Sequence, residues 1–251
     1  MHMPSLNKFE KSIEKISEIF NEKIANNPYS KELRIIFNVG LQSEDLALFP
    51  NIRSASSCSD YIEKWIKCYV DATQNPPSKR KASPKGSCND PALENIVYYA
   101  TGEEKKQIKR MLVYHNLFMS AENIQGNLLE EYINNNIQKY GWVWCNGTVL
   151  QAIDFCSVDG SVLLQIKNKN NTENSSSSKV RKGTTIEKWY RLGSRKSNGK
   201  ILPAYKWDIL NDIINSHVIT DIKPNCKMTE DDYQNFLKQI IKANSDIISE
   251  E

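Results

Sequence analysis

Asp154 is followed eleven residues later by Gln165-Ile166-Lys167, and the runs between them meet at Asp159-Gly160. An Asp-Gly pair between two apolar runs predicts a β-hairpin closed by a two-residue type I′ turn. With Val158 opposite Ser161, the register sets Asp154 against Gln165 and Ala152 against Lys167. Opposed residues share a face, as do alternate residues along a strand. Asp154, Gln165 and Lys167 therefore project from one side, and Ile153, Phe155, Val162, Leu164 and Ile166 take the other, the expected core face. An acid, an amide oxygen and an ammonium on one face can hold a divalent metal ion and an attacking water for hydrolysis. The same pair of charges also fits a plain solvated ion pair.

The elements around the hairpin must position these groups. Upstream, the stretch from Gly126 to Ile133 opens a helix whose apolar stripe is Leu129, Ile133, Ile137 and Tyr140. Glu130 stands about 100° from Leu129 around the axis, at the stripe's edge and within reach of a metal on the sheet. Glu131 is expected to turn further toward solvent. Trp142-Val143-Trp144 reads as a first strand ahead of an Asn146-Gly147 turn, and the run from Asn168 to Ser178 is too polar to be core.

The strings G-N-L-L-E-E-Y-I, D-F and L-L-Q-I-K-N resemble the PD-(D/E)XK nuclease core as type II restriction endonucleases have it. In that likeness Glu130 is the helix acid, Asp154 the strand acid and Gln165-Ile166-Lys167 the (D/E)XK triplet. The longer run L-L-Q-I-K-N-K-N-N-T-E-N-S-S-S-S resembles the SinI group of restriction enzymes, those cutting GGWCC sites. The likeness covers residues 119 to 195. It departs from the pattern twice: Ile153, not proline, precedes Asp154, and the middle acid is the neutral Gln165. Glutamine offers an oxygen dipole without a full charge, so Asp154 and Glu130 would have to supply the negative charge. The resemblance implies an α/β restriction-endonuclease-like mixed sheet flanked by helices and a Mg²⁺ ion held by Asp154, Gln165, Glu130 and the main-chain carbonyl of Ile166. Lys167 would orient or deprotonate the water. It also implies double-stranded DNA as substrate and a cognate DNA methyltransferase as functional partner.

Composition sets outer bounds. With 25% charged and 39% hydrophobic residues the chain has a globular balance, and no apolar run approaches the length that spans a membrane. Met1-His2-Met3-Pro4 lacks a signal-peptide core, and six cysteines without a C-x-x-C pair suggest reduced thiols in a cytoplasm. Three histidines show no metal-binding spacing. Between Lys179 and Lys200 eight basic residues face one acid, so a segment of charge +7 sits in a chain of net charge +3. A polyanion held there would lie against the hairpin.

In chain order, residues 1–118 read as a helical subdomain and residues 119–251 as the nuclease core with its recognition segment. A helix from Ser5 to about Ala25, an irregular one from Lys31 to Leu48 and one capped by Ser59 come first. Residues 73–90 form an expected basic flexible loop with Lys79-Arg80-Lys81, a candidate phosphate arm. Helices follow from Ala92 to Ala100 and from Glu103 to Met119, the second with Ile108, Met111, Leu112, Leu117 and Phe118 inward, before Ser120–Asn123 turns the chain into the Glu130 helix. Beyond the hairpin, Thr185 to Leu192 shows helical tendency. A helix from Ile209 to Asn215, a strand-like stretch from His217 to Ile222 and a Thr229-capped helix finish the fold.

The sequence thus points to a divalent-metal-dependent endonuclease that cuts double-stranded DNA at a specific site. Asn168, Lys169, Asn170, Asn171, Asn174, Ser175, Ser176, Lys179, Arg181, Lys182, Lys188, Arg191, Arg195 and Lys196 are the candidate DNA-binding set, since asparagine pairs with adenine and arginine with guanine. Two copies related by a two-fold axis would serve both strands of a palindromic site. A structure-specific repair or recombination nuclease on the same core and a non-catalytic DNA-binding module remain the alternatives.

Overall fold

The computed structural model describes residues 4–81, 90–169 and 186–248. Among them, β1 (Trp142–Trp144), β2 (Phe155–Ser157), β3 (Leu163–Lys169), β4 (Ile186–Ser197) and β5 (Lys200–Tyr205) form one mixed sheet in that order. The β3–β4 pair is parallel and the other three pairs are antiparallel. Helices α1 (Ile13–Ile24), α2 (Ser30–Leu41) and α3 (Cys58–Gln74) precede the sheet, with α4 (Pro91–Thr101) and α5 (Lys105–Ile137); α6 (Trp207–Ser216) and α7 (Glu230–Ala243) follow it. None of these helices is long and apolar enough to cross a membrane.

Both sheet faces are covered, because alternate residues of the inner strands enter two different cores. Cys156, Leu163 and Ile153 pack with α1, α2 and α3 around Phe20, Phe37, Phe49 and Trp65. Phe155, Val162, Leu164 and Ile166 pack with α5, α6 and α7 around Tyr132, Trp189, Trp207 and Tyr233. Ile153, expected with Phe155, therefore belongs to the opposite core. The bulge-like path just before β2 causes this: Ala152 adopts a left-handed conformation (φ 62°), which breaks the alternation ahead of Asp154. The first core joins residues from both sides of position 118, and the expected boundary at 118/119 falls inside α5.

The hairpin keeps the expected register, with Phe155 opposite Leu164 and Cys156 opposite Leu163. Its turn is different. Only Gly160 has a positive φ (72°), and its N–H bonds to the Ser157 carbonyl at 2.9 Å. A type I′ turn would need a positive φ at Asp159 too. The Asp159 carboxylate instead accepts from Ser157 Oγ and from both the N–H and Oγ of Ser161, which fixes a longer connection. The paired positive φ angles appear at Asn198 (49°) and Gly199 (74°), between Ser197 and Lys200 of the β4–β5 hairpin.

Several local expectations are corrected. Ser57, not Ser59, caps α3 through the Asp60 N–H, and α1 starts at its Ser12 cap after a short turn at Leu6–Lys8. The helical reading of Thr185–Leu192 fails where described, because Ile186 to Leu192 pairs along β3. Its Ile, Trp and Tyr suit a pleated surface once a partner strand is present. No strand forms from His217 to Ile222. Ser120–Asn123 makes no turn; α5 is continuous for 33 residues. Of the five side chains expected inward in its first half only Ile108 is buried, while Met111 is 44% and Phe118 72% exposed. Thr229 caps α7 through the Asp232 N–H as expected.

Candidate active site

The N-terminal helices shape the loop that delivers Asp154. Trp65 Nε1 donates to the Val149 carbonyl at 2.8 Å, the Gln151 N–H donates to Leu48 O at 2.7 Å, and Gln151 Nε2 donates to Phe49 O at 2.8 Å. The chain then enters β2 with the Asp154 N–H on Leu164 O at 2.9 Å. The β2–β3 ladder stops at Phe155–Leu164, so the next outward amide of β3, that of Ile166, donates to Asp154 Oδ2 at 2.6 Å. One carboxylate oxygen is thereby oriented by backbone. The Ile166 carbonyl leaves the strand on the same edge as its N–H, toward Asp154.

Glu130, Asp154, Gln165 and Lys167 line a single cleft of about 390 Å³, together with Arg80, Asn127 and residues of the loop from Cys145 to Ile153. This cleft opens on the face that holds Cys156 and Leu163 further along, since Gln165 and Lys167 continue the alternation begun by Leu163. Glu130 comes from α5 and accepts from Trp144 Nε1 of β1 at 3.1 Å. Gln165 is 3% exposed.

Burial is the main cause that raises the Glu130 carboxyl well above its usual range, and the Asp154 charge adds to it; Trp144, Lys167 and Arg80 oppose it. Asp154 is raised by burial, against the Ile166 N–H and the Lys167 ammonium. Two carboxylates sharing one cleft cannot both ionise at low cost without a cation between them. Among the described residues no three of His, Cys, Asp or Glu gather to hold a metal. The donors at hand are all oxygens, two carboxylates, an amide and a carbonyl, which suit a hard divalent ion such as Mg²⁺ rather than a thiophilic one.

The candidate DNA-binding residues separate sharply. Asn170, Asn171, Asn174, Ser175, Ser176, Lys179, Arg181 and Lys182 lie outside the described residues. Arg191, expected to read bases, is only 4% exposed. Its Nη1 pairs with Glu230 Oε1 at 2.5 Å, its Nε donates to Asn168 Oδ1 at 2.8 Å, and its guanidinium lies over the Tyr205 and Tyr233 rings. Arg191 is therefore internal, because β4 places it on the covered face beside Trp189. Asn168 is tied down as well, its amide donating to Gln125 Oε1 at 2.6 Å. Lys169 pairs with Glu122 at 3.5 Å on the surface. Lys188 sits beside Gln165 in the β3–β4 register, with its ammonium 5.0 Å from the Tyr190 ring. Arg195 and Lys196 lie on the exposed end of the β4–β5 ribbon, opposite Leu202 and Ile201.

Glu131 and the turn that carries Arg80 lie where the sequence does not place them. Glu131, expected toward solvent, is 7% exposed and accepts from Ser78 N at 2.8 Å and Ser78 Oγ at 2.5 Å. The start of the expected flexible basic loop is thus a helix end and a short 3-10 turn, Pro77–Lys79, fastened to α5. Arg80 follows that turn into the cleft. The Ser78–Glu131 pairing has no local signal, since the partners stand 53 residues apart.

A mixed sheet flanked by helices, with two acids, a glutamine and a lysine around one cleft, defines the restriction-endonuclease-like α/β class. The family model described as SinI restriction endonuclease matches residues 62–241, and the chain belongs to that family. It is similar to the type II restriction enzyme Eco47I of Escherichia coli, 35% identical over 166 residues that cover 64% of this chain and 66% of that enzyme. It is also similar to the type II restriction enzyme SinI of Salmonella infantis, 32% identical over 167 residues, 65% of this chain and 66% of that enzyme. The chain spans 66% of the length of each of these relatives.

Proposed function

We propose that the protein is a site-specific double-stranded DNA endonuclease that hydrolyses phosphodiester bonds with Mg²⁺. The observation that supports this best is the meeting of Glu130, Asp154, Gln165 and Lys167 in one cleft, with both carboxyls raised by burial and, for Glu130, by its neighbour. Side-chain oxygens of Asp154, Glu130 and Gln165, with the Ile166 carbonyl, would hold the ion. When bound, the ion supplies positive charge to the paired carboxylates and to the scissile phosphate. Ile166 N–H keeps Asp154 turned into the cleft, and Trp144 does the same for Glu130. Lys167 orients the attacking water and offsets negative charge as it grows on the phosphorus-centred transition state. Lys188, Arg195 and Lys196, on β4, hold backbone phosphates, and the sequence is read by the segment after β3 that includes Asn170, Asn171, Asn174 and Arg181.

The enzyme works as a homodimer. α4 buries none of its residues, and with the first half of α5 it exposes Leu93, Ile96, Tyr99, Met111 and Phe118, an apolar helical hairpin that a second copy would cover. A cognate methyltransferase is the functional partner such a nuclease requires.

The test is digestion of plasmid DNA with and without Mg²⁺, followed by mapping of the ends, with GGWCC as the first site to look for. Discrete fragments that appear only with the ion are expected. Ends without a common sequence would leave a structure-specific nuclease, and intact DNA bound equally well without the ion would leave a binding module.

A further inference from the structure

Ser78 to Arg80 is held from two directions by residues remote in sequence. From α5, the buried Glu131 carboxylate accepts the Ser78 N–H and hydroxyl. From the end of α7, Asn244 Nδ2 donates to the Ser78 carbonyl at 3.0 Å and to the Arg80 carbonyl at 2.9 Å. Next door, Lys81 pairs with Asp246 at 3.0 Å. Arg80 itself donates from Nε to the Asn75 carbonyl at 2.9 Å. A buried carboxylate and a side-chain amide that grip main-chain groups fix a backbone position, and the side chain so placed lines the cleft with Glu130, Asp154, Gln165 and Lys167. Its charge is felt there, lowering the Glu130 carboxyl against the effect of burial.

We propose that Arg80 binds the phosphate at the bond being cut, and that Glu131 and Asn244 are the residues that position it. The inference rests on the nuclease reading above. A cleft with two carboxylates repels a phosphodiester, and one lysine offers only a point charge to offset that. A guanidinium presents a planar fork that matches two phosphate oxygens and stays charged at every working pH. Fixed in advance on a pinned backbone, it loses little freedom when the substrate arrives, and it can meet charge as it develops in the transition state. Lys79, Arg80 and Lys81 thus part company: Arg80 faces the reacting phosphate, while Lys81 is engaged with Asp246 on the surface.

The experiment uses the full chain and a duplex that the wild type cuts. Single-turnover cleavage at saturating protein should fall at least about 10²-fold in Arg80→Ala, the scale of losing one preorganised electrostatic donor. Arg80→Lys should keep part of the rate. The slope of log binding constant against log salt, measured without cleavage, should flatten by about 0.9 for one lost phosphate contact. Asn244→Ala, which does not touch the cleft, should slow the same step by roughly tenfold through misplacement and add nothing to Arg80→Ala. Should the alanine variant melt early, Arg80→Gln, which keeps the stem and a donor, takes its place in every arm. Cleavage by Arg80→Ala within about threefold of wild type would overturn the proposal. So would a slow variant with an unchanged salt slope, since Arg80 would then serve only as a counter-charge for Glu130. A wild type that cuts no duplex would remove the nuclease reading instead, and the salt slope would still decide whether Arg80 meets a phosphate.

Discussion

Two regions of this molecule bury charge, and they do so in opposite ways. Around Arg191 the account is closed: guanidinium meets carboxylate, amide oxygen and two aromatic faces, and the other Glu230 oxygen accepts from Trp207 Nε1 at 2.9 Å. In the cleft it is open: Glu130 and Asp154 repel each other, and burial raises both. A buried charge with every partner in place holds a structure together. Buried charges that still need a partner mark where a ligand goes.

Damage in the two regions should therefore appear in different measurements. Asp154→Ala or Lys167→Ala should reduce cleavage at least about 10²-fold with the melting temperature little changed, as read from plasmid digests and thermal melts of the same preparations. Cutting at the wild-type rate by either variant would end the assignment of the cleft.

Arg191→Ala should do the reverse. Removing one partner of a buried pair leaves the Glu230 carboxylate without its counter-charge and costs about 3 to 5 kcal/mol of stability, measurable by urea unfolding. The sequence cut by whatever folded protein remains should stay the same, and a changed site would return Arg191 to the bases.

A third measurement is a pH slope. Glu130 has its carboxyl raised in the folded protein, so its favourable contribution is fully present below the ordinary carboxylate range and is lost as pH rises through the raised value. Metal-free protein should therefore lose melting temperature as pH rises from acid to mildly alkaline. Glu130→Gln, which cannot ionise, should flatten that slope, and so should added Mg²⁺ for the wild type. A parallel slope in the variant would mean that Glu130 is already stabilised without an ion.

How much of this was legible in the sequence depended on distance along the chain. The hairpin register is legible, because a period of two and one left-handed glycine suffice to align Phe155 with Leu164, although the turn is not the type I′ that Asp159-Gly160 predicts. The edge position of Glu130 followed from the spacing of Leu129, Ile133 and Ile137. Ile186 to Leu192 was ambiguous as a short apolar run, and only β3 beside it makes it a strand. Arg191 looked like a reader of guanine because Glu230, 39 residues on, cannot be assigned to it from sequence. Glu131 looked exposed for the same reason, since Ser78 is what it was folded against. The exposed first half of α5 shows the converse: a helical pattern reports which side is apolar, and says nothing about whether anything covers it.

That helix has a mechanical consequence. α5 runs unbroken from the uncovered hairpin at Lys105 to the acid at Glu130, a span of about 38 Å at the rise of an α-helix. It behaves as a lever. A tilt of roughly two degrees about its packed half moves the free hairpin end by about 1 Å. The half that carries Glu130 is packed among Leu129, Tyr132 and Ile133, so the acid sits at the fixed end of this rod and the uncovered hairpin at its free end.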